Sequence, residues 1–134
     1  MKASVDIKIK GETDPEYALG VTLTNKSGAP LTTYEHSLPW VGLNSLILIA
    51  VKTDVLGTLL DKPSPIDDPG PASLTIQPGE TVTGRIPLTH RFPGFVEALK
   101  GRDVIVFWSY QFKPIDSSPL KRTGGYVLFP KAGN

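Results

Sequence analysis

Apolar and polar residues alternate almost from the start of this chain. Val5, Ile7 and Ile9 are separated by Asp6, Lys8 and Lys10. The same period of two returns at Leu19, Val21 and Leu23, with a glycine and threonines between them. Successive side chains of a strand point to opposite faces, so both segments predict half-buried β-strands. Leu31–His36, rich in Thr and Tyr, predicts a return strand after the Asn25-Lys26-Ser27-Gly28 turn. Leu46–Val51 is a continuous apolar run and predicts a strand covered on both faces or near a closed end.

The punctuation in the second half is sharper. Leu74 and Ile76 lie on one side of Gln77-Pro78-Gly79-Glu80, and Val82, Ile86 and Leu88 share a face on the other. Proline pre-sets the first corner of a type II turn and glycine supplies the positive φ of the second. The next strand is predicted to run on to Leu88. Pro93–Lys100 predicts a two-turn helix with Gly101 as its stop. Asp103–Phe112 is the strongest strand, with Val104, Val106, Trp108, Tyr110 and Phe112 on one face. Ile105 and Phe107 give its start a second apolar face. Gly125–Phe129 closes the series and Pro130 ends it.

Seven to eight short strands, with turns between them and no regular alternation with long helices, predict an all-β fold. The expected form is an antiparallel immunoglobulin-like sandwich with one short helix; a small closed barrel is the alternative. The 134 residues fit a single domain spanning 1–134, large enough for a core without disulfides or metal. Thirteen prolines, about twice the usual share, accord with many turns.

With no cysteine, the chain has neither disulfides nor thiolate chemistry. The opening residues alternate at once and carry no apolar stretch of signal-peptide type, so a cytoplasmic location is expected. The longest apolar run is too short for a bilayer. Net charge is +1, which supplies no global electrostatic case for nucleic acid or membrane as a partner. The charge is uneven: residues 1–84 carry six Lys and Arg against ten Asp and Glu, and residues 85–134 carry eight against three.

Candidate chemistry is sparse. His36 and His90 are not spaced as a zinc pair, and no other ligand set accompanies them. There is no Gly-x-Ser-x-Gly elbow, phosphate-binding loop or dinucleotide fingerprint. The chain is therefore expected to be no enzyme and to take no cofactor. Trp108, Tyr110 and Phe112, at period two, are expected in the core. Trp40 sits in the Ser37–Gly42 loop, either folded back as a plug or presented as an interface anchor. Residues 61–72 carry Pro63, Pro65, Asp67 and Asp68 in a long stiff connection.

Three pieces in order carry a resemblance. Leu19–Leu31 is a strand, an Asn-x-Ser-Gly turn and a return. His36-Ser37-Leu38-Pro39-Trp40 and the run Leu46–Val51 follow. Leu74–Val82, with its Pro-Gly turn, completes the set. Over about residues 17–90 this resembles the immunoglobulin-like domains that precede the catalytic unit in deuterolysin-type metalloproteases. In outline it is also similar to the bacterial intracellular proteinase inhibitor family. There is no His-Glu-x-x-His, so the resemblance implies a fold and carries over no functional residue.

The expected function is non-enzymatic protein binding through loops at one end of the sandwich, with a protease inhibitor or accessory protein as its concrete form. The candidate contact residues are Pro39, Trp40, Pro63, Pro65, Asp67 and Asp68. An edge strand, Val5–Lys10 or Gly125–Phe129, offers a route to a homodimer. The alternatives are a small-ligand or carbohydrate module using Trp40, Tyr34 or Tyr126, and a structural unit.

Overall fold

The computed structural model describes residues 3–14, 16–42, 45–54, 57–60, 62 and 72–132. Among them are eight strands: β1 Val5–Glu12, β2 Ala18–Asn25, β3 Leu31–Tyr34, β4 Leu46–Lys52, β5 Ser73–Ile76, β6 Thr81–Pro87, β7 Val104–Tyr110 and β8 Thr123–Phe129. Two short helices, α1 Leu88–Arg91 and α2 Phe95–Leu99, lie between β6 and β7. All strand pairings are antiparallel. One sheet has the order β1-β2-β6, a second β4-β7-β8, and β3 pairs with β5 alone. The fold is all-β, as the alternation predicts.

The inward faces meet in one core. Leu19, Val21, Leu23 and Ile86 come from the first sheet, and Leu46, Leu48, Ala50, Val104, Val106, Tyr110 and Phe129 from the second. Each large aliphatic or aromatic side chain so buried contributes about 1.5–3 kcal/mol. The expected β7 face is present: Val104, Val106, Tyr110 and Phe112 are buried and Trp108 is half-buried.

The Pro78-Gly79 turn has the expected geometry. Gly79 has φ of 79°, and the Glu80 N–H donates to the Gln77 carbonyl at 2.9 Å. It does not close a hairpin, because β5 pairs with β3 whereas β6 pairs with β2. The turn is a corner that carries the chain from the β3-β5 pair to the first sheet. Asn25 holds it there: the Gly79 N–H donates to the Asn25 carbonyl at 2.8 Å, and the Asn25 N–H to the Glu80 carbonyl at 3.1 Å.

Four local expectations are corrected. The β3 strand stops at Tyr34, and Glu35–Ser37 forms a 3₁₀ turn instead of extending the strand to His36. The strand expected to reach Leu88 ends at Pro87, whose φ of −65° leads into α1. The expected single helix becomes two, because Leu88 turns inward and the Phe92 N–H closes on the Leu88 carbonyl at 2.8 Å before Pro93 intervenes. One turn is too short to show a periodicity in sequence. The run Leu46–Val51 is not covered on both faces: Leu46, Leu48 and Ala50 are buried, while Ile47 and Ile49 are exposed.

Candidate functional site: an uncovered apolar sheet face and a basic pocket

The second sheet turns an outer face away from the core. Residues directly opposite in a ladder share a face, so the pairing identifies its members. One row is Ile47, Ser109 and Gly124; the next is Ile49, Phe107 and Tyr126; the third is Val51, Ile105 and Leu128. None of these nine residues is charged. Ile47 is 45% exposed, Ile49 47%, Phe107 43%, Tyr126 67% and Leu128 50%. The Phe107 and Tyr126 rings lie side by side with centroids 6.2 Å apart.

The face widens beyond β4. The Lys52 N–H donates to the Thr58 carbonyl at 2.7 Å and the Leu60 N–H to the Ala50 carbonyl at 2.9 Å. Leu59 thereby stands opposite Val51 and adds a side chain of an apolar type that is 62% exposed. Together these side chains form one contiguous apolar surface, the kind of surface at which contact sites are found.

At the Ile47 end the face runs into an open pocket of about 460 Å³. Among the described residues its lining includes Tyr34, His36, Ile47, Lys113, Ile115 and Arg122, and no Asp or Glu. The chain builds it from distant segments. Tyr34 and His36 stack with ring centroids 5.3 Å apart and planes 12° from parallel. Lys113 is set beside β3 by two bonds: the Thr33 hydroxyl donates to the Lys113 carbonyl at 2.7 Å, and the Ile115 N–H to the Thr32 carbonyl at 2.8 Å. The Arg122 guanidinium donates to the Ser109 hydroxyl at 3.0 Å, which places it at the edge of the apolar face. The Tyr110 hydroxyl donates to the Ser37 carbonyl at 2.6 Å and ties the 3₁₀ turn to β7. Burial pushes the Tyr110 hydroxyl well above its ordinary pKa, so it stays protonated.

Two other depressions differ in their charges. Over the outer face of the first sheet, Arg85 is bound to Glu12 at 2.8 Å and to Glu16 at 3.0 Å. The hydrogen bond to Glu12 does most to raise the Arg85 pKa, against desolvation, with Glu16 adding to it. The hollow between α2 and the Leu59–Leu60 segment has Arg102 paired with Asp54 at 3.0 Å, and the Lys62 ammonium on the Leu48 carbonyl at 2.8 Å. Among the described residues, neither Lys113 nor Arg122 forms an ion pair. Also among the described residues, no three His, Asp or Glu side chains group as metal ligands would. No helix among them is long and apolar enough to cross a membrane.

Of the residues singled out from sequence, Pro39 and Trp40 lie elsewhere. Pro39 is buried. Trp40 is half-buried and lies flat on Gly84 of β6, where an added Cβ would strike its ring. Pro63, Pro65, Asp67 and Asp68 lie outside the described residues. Trp40, Tyr34 and Tyr126 do not line one groove: Trp40 packs on β6, Tyr34 on the basic pocket and Tyr126 on the apolar face. The site that sequence reasoning missed did leave a signal. Ile105 and Phe107 form a second apolar face on β7, and Ile47 and Ile49 break the alternation of β4.

No family model and no curated protein matches the chain. A protein from Archaeoglobus fulgidus of known crystal structure is similar with a TM-score of 0.41 and 10% identity, over 99% of this chain and 100% of that one. At that level the likeness bears on neither fold nor function.

Proposed function

We propose that the chain is an immunoglobulin-like β-sandwich acting as a non-enzymatic protein-binding module. The strand orders β1-β2-β6 and β4-β7-β8 support the fold reading, since they correspond to strands A-B-E and C-F-G of such sandwiches. The contact surface is the outer face of β4-β7-β8 and not the end loops. One observation carries this: five large apolar side chains, 43–67% exposed, share a face with no charged residue. A large contiguous apolar patch on a folded chain is the usual mark of an interface, and aromatic anchors such as Phe107 and Tyr126 dominate binding energy where they are desolvated.

Capture from the native host tests it. Tagged wild-type chain retains a specific protein, the Phe107→Thr, Leu128→Thr double variant loses it, and Val96→Thr, exposed on α2, keeps it. Identical capture by all three chains would remove the sheet face from consideration.

A further inference from the structure

The apolar face does not end in neutral surface, and this names the chemistry of what binds there. We infer that the partner presents an extended apolar segment followed by acidic residues, whose carboxylates enter the pocket between Lys113 and Arg122. The inference rests on the docking reading above and adds the charge and direction of the occupant.

Three features support it. Ile47 belongs both to the first row of the apolar face and to the pocket lining, so one ligand can reach both. Among the described residues, the ionisable side chains that line the pocket are cationic or aromatic: Lys113, Arg122, His36 and Tyr34, with no carboxylate among them. In the two larger depressions Arg85 and Arg102 are already engaged by Glu12, Glu16 and Asp54, and Lys62 by a carbonyl, whereas the Arg122 guanidinium donates to the neutral Ser109 hydroxyl. Guanidinium and ammonium groups left with spare donors at the rim of an apolar patch favour a carboxylate over any neutral acceptor.

A second copy of the chain fits less well. At the opposite end of this sheet, the Asp103 carboxylate accepts the Lys131 N–H at 2.6 Å and Asp54 is held by Arg102 at 3.0 Å. In a copy laid across the face, the acids at that end would reach Arg122 already sharing their charge with those donors.

The test is an NMR titration of the full chain with three synthetic peptides. They share an isoleucine-valine-phenylalanine core and end in two aspartates, two asparagines or two lysines. The aspartate peptide should bind about 10-fold more tightly than the asparagine peptide, the worth of one charge-assisted contact. Its shifts should gather at Ile47, Ser109, Lys113 and Arg122. The advantage should vanish in the Lys113→Gln, Arg122→Gln variant, both of whose sites are exposed. Equal binding of all three peptides, abolished together by Phe107→Thr, would overturn the acidic preference and leave the docking reading standing. Binding of none, or a dimer in sedimentation that Phe107→Thr separates, would overturn the inference outright.

Discussion

The hydroxyl of Tyr110 donates to the carbonyl of Ser37 at 2.6 Å, across 73 residues of sequence. The bond joins the buried last residue of β7 to the 3₁₀ turn that carries His36, and so fixes one wall of the basic pocket to the sheet that bears the apolar face. Tyr110 is 1% exposed, and burial raises its pKa above the ordinary tyrosine value of 10.0.

That shift predicts a pH dependence. The folded state holds the Tyr110 proton at pH values where the unfolded state releases it, so the contribution is complete below about pH 10 and is lost as pH rises through the folded value. Tyr110→Phe should cost about 1 kcal/mol near pH 7, by urea denaturation. Above pH 10 the wild type should lose stability more steeply than the variant, by up to about 1.4 kcal/mol per pH unit. Parallel stability curves would contradict this.

Trp40 and Gly84 form a second interdependent pair. A Cβ at position 84 would overlap the indole ring, so Gly84→Ala should destabilise by about 1–3 kcal/mol through overpacking. Trp40→Ala should cost up to about 3 kcal/mol through the space it vacates. The double variant should lose less than the sum, since the clash disappears with the ring. Additive losses in thermal unfolding would show that the two do not act through this contact.

Asn25 is fully buried and fully engaged. Its amide donates to the carbonyls of Ala29 at 2.9 Å and Ile76 at 2.8 Å, and its oxygen accepts the Ser27 N–H at 2.8 Å. Asn25→Ala leaves these backbone groups without partners, at about 1–3 kcal/mol each where they remain dry. Because the Asn25 amide also holds the Ile76 carbonyl just before the turn, amide hydrogen exchange should accelerate across the Pro78-Gly79 corner before the rest of the chain. Uniform acceleration would contradict that local role.

The apolar face should be separable from the fold. Phe107→Thr with Leu128→Thr keeps β-forming residues at outward positions, so stability should change by less than about 1 kcal/mol. Fluorescence of a dye that reports exposed apolar surface should fall markedly. A large loss of stability would mean that these side chains serve the core.

Much of this architecture is visible in one dimension. Alternation places Leu19, Val21 and Leu23 inward, and Val104, Val106 and Tyr110 against them, because strand geometry alone sends every second side chain to the same side. The turn at Pro78-Gly79 is equally local, since φ of proline and glycine sets it. The all-β class follows from such elements.

Pairing is not local, and the site depends on it. That β5 joins β3, while β6 joins β2, converts an apparent hairpin into a corner. Alternation assigns Ile49, Phe107 and Tyr126 to faces of their own strands, but not to one row, and it does not say whether another layer covers that row. The ladder aligns them, and among the described residues their side chains stay open to solvent. Lys113 and Arg122 meet Tyr34 and His36 only because the segment after β7 returns along β3. Sequence by itself determined which side chains share a side of each strand; tertiary structure decided which sides are buried and which cations gather, because those outcomes depend on contacts between segments far apart in the chain.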